Sequence, residues 1–395
     1  MSTQLQIRKD IDFISKINGI GNLSKALTNN LFGFDHINKG TPGPRNRENY
    51  GLVFFTRPSL NLSSGNLMSN RVLRPLLNRD PNSIARYIRA TLDPKSNNAA
   101  VRGRFVNRSE VSRRNSLDSE TIISNLCDPE NPFIPLLSNS IVNLTGFPDI
   151  NLDVYSSKPG PWKESWSMVD SASEIFYPYD LTANFQNISG DPITLLITTW
   201  VHYASLVYQG EIVPYPDAII ENKIDYTSRI YRVILDTDRE TVTKLGAIGV
   251  GFPTASPIGQ FFNYNSESVF IETMDTISVP FRCMGANYND IILIKEFNAV
   301  VGMFNTAMRG VIESIVENGN QSDNLHGMQR INLHERSDNG VIIGRYISNY
   351  LKYRAYPLIN PRNNRLEWWV RKADYDQAKE DILERGLADV LNNDN

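Results

Sequence analysis

Residues 241–257 read TVTKLGAIGVGFPTASP, and their pattern decides the class of fold. Apolar and β-branched residues alternate with polar ones up to Phe252, after which Pro253, Thr254, Ser256 and Pro257 end any strand. Just before this run lies the polar turn Thr237-Asp238-Arg239-Glu240, and before the turn a second β-rich run covers residues 228–236. The two runs read as a hairpin. Gly246-Ala247-Ile248-Gly249-Val250-Gly251 is the nearest thing in the chain to a phosphate-binding loop. It falls late in a strand rather than between a strand and a helix, so its glycines are expected to serve a bulge or a close backbone approach.

Upstream, residues 169–187 read as one long strand with Ile175, Tyr177, Tyr179, Leu181, Ala183, Phe185 and Asn187 on one face and Gly190 ending it. Asp191-Pro192 then starts a helix, with an acceptor side chain at the N-cap and proline in the first turn. Ile193, Leu196, Trp200, Tyr203 and Val207 recur at helical spacing, and Gly210 stops the run. A proline-broken loop follows through Val213-Pro214-Tyr215-Pro216. Downstream of the hairpin come the polar turn Asn263-Tyr264-Asn265 and a last strand over residues 268–284. Strand, helix, hairpin, loop and strand make residues 151–290 an α+β domain, an antiparallel β-barrel or sandwich with one packed helix.

The flanks differ in character. Residues 1–47 are rich in Asn and Gly and read as an N-terminal arm that orders against a neighbour. Residues 48–64 hold a short aromatic strand with Phe54 and Phe55, closed by Arg57-Pro58. Residues 65–150 form a basic insertion: positions 71–114 alone carry eleven Lys/Arg against three Asp/Glu, a local excess of +8 in a chain of net charge −3. Only Tyr87 and Phe105 could stack bases there, and Arg102, Arg104 and Arg108 match no nucleic-acid motif, so they are expected to face a protein partner. Residues 291–395 are mostly helical, with Phe297, Val300, Val301, Phe304, Met308, Val311, Ile312 and Ile315 on one stripe and an acidic closing helix.

A hydrophobic content of 41% against 21% charged residues suits a folded chain of two or three ordinary domains and excludes wholesale disorder. No apolar run reaches the roughly 18 residues of a membrane span, and no signal peptide is expected at the start. Cys127 and Cys283 are expected to be free thiols of a chain made in a reducing cytosol. His36, His202, His326 and His334 have no metal-ligand spacing, and acid pairs such as Asp236/Asp238 and Asp374/Asp376 fall at turns and helix ends. No nucleophile elbow, Walker loop or dinucleotide fingerprint occurs. The expectation is a non-enzyme with neither cofactor nor metal.

Trp200 on a helix, the hairpin, the Gly251-Phe252-Pro253-Thr254 corner with Pro257, and the closing strand to Arg282 together resemble the tail-tube fold of contractile-tailed bacteriophages. The resemblance covers about residues 165–290 and extends loosely to the strand near Phe54. The chain departs from a simple tube subunit in two places: about 100 residues separate its first strand from the second, and about 105 follow the last. Both departures resemble the baseplate tail-tube initiators. That resemblance implies a structural virion protein of the phage tail, made in the host cytoplasm. It implies a hexameric ring joining the hub to the tube and touching sheath or wedge proteins, with DNA passing its lumen unbound. It assigns fold-defining and ring-contact roles to Phe54, Phe55, Arg57, Pro58, Trp200, Gly251, Phe252, Pro253, Thr254 and Pro257. The competing readings are a major tube, neck or terminator ring, and a trimeric β-sandwich module for receptors or glycans.

Overall fold

The computed structural model describes residues 50–97, 124–171, 175–236, 238–262, 275–316, 319, 322–333, 335, 343–351 and 354–393. The N-terminal arm, Asn263-Tyr264-Asn265 and Arg102, Arg104 and Arg108 lie outside the described residues.

The first described element is β1 (Tyr50–Phe55). Then come β2 (Ile141–Thr145), β3 (Val154–Ser156), β4 (Ser167–Val169) and β5 (Ile175–Gln186). The expected hairpin is β6 (Ile230–Leu235) and β7 (Val242–Pro253), and β8 (Thr276–Tyr288) closes the set. Six of these form one antiparallel sheet in the order β1-β6-β7-β8-β5-β2, while β3 and β4 pair only with each other. The two edges of the large sheet almost meet. Thr56 bridges to Phe133, and Ile134 N–H donates to the Phe55 carbonyl at 2.9 Å, so β1 reaches the segment that leads into β2. The result is a nearly closed barrel.

Alternation along the strands divides the side chains between two cores. Val53 and Phe55 of β1, Ile230, Ile248, Leu181, Ala183, Phe185, Val279 and Phe281 face inward. They pack against Trp200 and Tyr203 of the long helix and against Leu67, Leu76, Ile88, Leu92 and Leu137 from the basic stretch. Most of the latter come from α1 (Ser64–Ser69), α2 (Ile84–Leu92) and α3 (Pro135–Ser140). The described part of the insertion therefore shares the barrel's core and is not a separate body. Part of its positive charge is internal as well, since Arg86 and Arg89 are buried.

The long helix, α4 (Pro192–Gln209), ends as its sequence foretells: Gly210 takes φ +76°, and the N–H groups of Gly210 and Glu211 bond back to Val207 and Leu206. Its start differs from expectation. Asp191 has φ +49°, and its side chain accepts no capping bond, because the left-handed backbone carries the carboxylate away from the first turn. The long strand expected at 169–187 also divides: β4 belongs to the separate ribbon, and Tyr177, beside a register shift in β5, is half exposed.

The C-terminal extension covers the other face of β1, β6 and β7. It begins with α5 (Ile291–Phe304) and α6 (Thr306–Val316), split at Asn305, whose Oδ1 accepts from the N–H groups of Ala307 and Met308. A four-stranded sheet interrupts its helices: β9 (Asn324–Leu325), β10 (Met328–Arg330), β11 (Tyr356–Asn360) and β12 (Arg365–Arg371), ordered β11-β12-β10-β9. A helix at Gly344–Tyr350 and the closing helix Lys372–Asn393 pack on this sheet through Ile347, Tyr375 and Ala378. Phe54, Tyr231, Val233, Leu245, Phe297, Met308, Leu358 and Trp369 make the second core. Its centre is aromatic, with Phe297 stacked 5.1 Å from Phe133 and edge-on to Phe54 and Tyr231, each at 5.3 Å. Backbone bonds add to this seam: Val242 N–H donates to Asn364 and Leu366 N–H to Glu240.

Candidate functional site

The corner at Gly251–Pro257 is the sequence's main landmark, and its geometry explains its residue types. Gly251 exchanges two backbone bonds with Ser228, at 2.8 and 2.9 Å, and a Cβ there would lie 2.6 Å from Ile248 and 2.9 Å from the Cys283 sulfur. A Cβ on Gly249 would lie 2.6 Å from the Met284 carbonyl oxygen. Both are close approaches between neighbouring strands that only glycine permits. Phe252 meets Tyr226 edge-on at 5.4 Å, and Pro253 is buried opposite Phe281. Thr254 turns the chain by donating its N–H and its hydroxyl to the Pro280 carbonyl, and Pro257 begins a short 3-10 turn. Ser256 shares a 2.6 Å hydroxyl contact with Thr198, which ties the corner to α4.

Seven of the residues given fold-defining and ring-contact roles are internal: Phe54, Phe55, Arg57, Pro58, Trp200, Gly251 and Pro253. Burial against the molecule's own core leaves these residues little surface to offer a neighbour. Trp200 donates its indole N–H to the Tyr226 carbonyl at 2.7 Å. Arg57 is held chiefly by carbonyls. Its Nε donates to Thr91, its Nη1 to Asn131 at 3.0 Å, and its Nη2 to Ala90, while the guanidinium lies over the Phe304 ring. Ala90 and Thr91 belong to the last turn of α2, where carbonyl oxygens point outward and the helix dipole favours a cation. Arg57 thus welds β1, α2 and the segment at 128–131 together, a role that no local sequence pattern signals.

A cleft of about 870 Å³ opens beside Arg57, between Tyr87, Cys127, Asn139, Pro192, Tyr356 and Arg371. Its polar groups are engaged with one another: Tyr356 donates to Asp128 at 2.7 Å, Arg371 pairs with Glu130, and Thr91 donates to the Cys127 sulfur. Burial pushes the Tyr87 hydroxyl up to about 12. No nucleophile is set against a base among the described residues there. The two cysteines are free, Cys283 buried and Cys127 half-buried. Among the described residues no group of three His, Cys, Asp or Glu could hold a metal ion, and no helix is long and apolar enough to cross a membrane.

Among the described residues, what is left open is the outer face of β8, β5 and β2. By register, Asn143 and Thr145 of β2 stand beside Asn184 and Thr182 of β5, and these beside Ser278 and Pro280 of β8. The charges on this face are few: Asp180 and Arg282 pair across the strands at 2.8 Å. The surface is polar and almost neutral at this end and turns apolar at Pro178 and Met284, at the other end of β5 and β8; sequence reading misses it because alternation in a strand does not say what the outer side faces.

A family model described as "Putative phage tail tube protein" matches residues 3–387. A search of curated proteins returned no match. Among solved structures the chain is similar to the tube-terminating cap of the anti-feeding prophage, at 12% identity over 40% of this chain and 82% of that one, with a TM-score of 0.25. It is also similar to a chain of the PVC sheath-tube complex, an extracellular contractile injection system in its extended state, at 11% identity over 40% and 82% with a TM-score of 0.24. A chain of the PVC sheath/tube terminator gives 12% identity over 40% and 87%, with a TM-score of 0.23.

Proposed function

The chain belongs to the phage tail tube protein family, whose model spans nearly all of it, and we propose that six copies form a ring around the channel through which DNA leaves the virion. The ring acts by geometry and not by catalysis. One observation carries this reading: the outer face of β1, β6 and β7 is sealed by the C-terminal extension, while among the described residues that of β8, β5 and β2 is uncovered and, from Asn143 and Thr145 across to Ser278 and Pro280, polar and nearly uncharged. A channel wall for duplex DNA needs that character, because each phosphate neutralised by a cation adds salt-dependent binding that would hold the passing strand. Closing the ring would also occupy exposed sheet edges.

The ring sits at the base of the tube, joining the hub to the first tube ring. Its extension and basic insertion favour this position, since a ring between two unlike neighbours needs different surfaces above and below. Arg102, Arg104 and Arg108 are assigned to the outer side, towards sheath or wedge proteins. The family's description favours a second reading, a major tube protein. Copy number separates the two: one ring per particle for an initiator, many for the tube. Light scattering followed by negative-stain imaging tests the ring itself. Six-fold rings with a hole wide enough for duplex DNA are expected, and a stable trimer overturns the reading in favour of a receptor-binding module.

A further inference from the structure

The ribbon of β3 and β4 stands out from the sheet between β2 and β5, and it is built like a limb with a fixed shoulder. At its base Gly146 takes φ +111°, in a position where a Cβ would collide with the Asp180 carbonyl. Phe147 packs edge-on against Tyr288 at 6.3 Å, and the Tyr288 hydroxyl donates to the Pro148 carbonyl at 2.7 Å. At its tip Lys163 takes φ +61°, Gly160 N–H donates to the Glu164 carbonyl, and Trp162 N–H donates to the Glu164 carboxylate at 2.7 Å. Between these ordered ends every residue of both strands is exposed. Trp162 is 90% and Trp166 61% exposed, and Val154, Tyr155, Met168 and Val169 are each half exposed or more.

A two-stranded ribbon with no core of its own is marginal in water. By register Tyr155, Met168 and Trp166 share one face of the ribbon and Val154 and Val169 the other, so both faces present apolar side chains to solvent. A matching surface exists on the same chain. Val250, Met284 and Pro178 are neighbours across β7, β8 and β5, and they form an apolar row beside exposed Phe176 and Tyr177. Each copy therefore carries one donor ribbon and one acceptor row, and a closed ring of identical subunits supplies an acceptor for every donor.

We infer that the ribbon of each subunit docks, through Trp162 and Trp166, on the Val250–Met284–Pro178 row of a second copy of this chain. The inference rests on the ring reading and names the contact that builds it. The test uses the full chain with Trp162→Ser and Trp166→Ser together, a separate Met284→Lys variant, and a benzophenone amino acid at position 162 of an otherwise unaltered chain. Each of these side chains is more than half exposed in its own subunit, so both variants should melt like the parent. Their assembly should require at least about a hundredfold more protein, as for the loss of buried aromatic anchors. The benzophenone should join two chains, with the attachment mapping to β5, β7 or β8 of the second. If rings form at parental concentration in both variants and no inter-chain product appears, the ribbon contact is overturned while the ring stands. If the parent itself never assembles, even with its tail neighbours present, the ring reading falls and this contact with it.

Discussion

One sheet has two kinds of outer face. Over β1, β6 and β7 that face is apolar and finished from within the chain, with Phe54, Tyr231, Val233 and Leu245 sealed beneath Phe297, Met308 and Trp369. Over β8, β5 and β2 it is polar except at Pro178 and Met284, and among the described residues neither it nor the apolar ribbon at its end is covered. The difference separates two roles: the sealed half is a stability device, and on the proposed reading the uncovered half is the assembly device. Substitutions in the first should therefore unfold the monomer, and substitutions in the second should leave it folded.

The largest effect belongs to the sealed half. Phe297→Ala removes the ring that touches Phe54, Phe133 and Tyr231 and should cost about 3–5 kcal/mol in urea unfolding. A loss under about 1 kcal/mol would mean that the extension is not bonded to the barrel as described. Arg57→Met should cost about 3 kcal/mol, because it leaves the carbonyls of Thr91 and Asn131 buried without donors. A smaller cost of about 1–3 kcal/mol is expected for Gly249→Ala, whose new methyl meets the Met284 carbonyl in the middle of the sheet.

A pH effect sharpens the comparison further. Asp93 is wholly buried, and burial raises its carboxyl pKa despite bonds from Ser96 and Tyr215 and the nearby Arg89. Burial likewise raises Asp225, which accepts from Tyr203. A raised folded pKa means that the native state holds its proton more tightly than the unfolded chain does. Stability contributed by these groups is therefore full below the unfolded value of 3.8 and declines as pH rises through the folded one. Asp93→Asn should flatten that decline in melts taken from about pH 4 to 8, and an unaltered slope would show that Asp93 is not the group responsible. The smallest effect is on the bare half: Asp180→Asn breaks an exposed ion pair with Arg282 and should change stability by under about 0.5 kcal/mol.

The hairpin, its corner and the helix of Trp200 are legible in the sequence because their signals are local. Period-two alternation, Pro253 with Thr254, and Gly210 after a helical stripe each act within a few residues. Partnership is not local, and there legibility ends. Val154, Tyr155, Met168 and Val169 are strand formers like those of β5, so residues 169–187 read as one strand; only the pairing of β4 with β3 separates them. The aromatic strand at Phe54 and Phe55 is recognisable, but its residues divide between two internal cores, because the rings that meet them, Phe133, Phe185, Phe281 and Phe297, come from more than 70 residues away in sequence. The carbonyl cage of Arg57 is equally hidden, since a cation after a strand reads as surface until the end of α2 is seen around it.

The central claim is that the bare polar face looks into the channel, and a label on it tests that most directly. Thr182→Cys places a thiol at the middle of β5, on the outward side beside Thr145, where a gold maleimide can react. Imaging of assembled rings should then find the gold at the six-fold axis, inside the hole. Gold on the outer rim would contradict the account and turn the sheet's bare face outward.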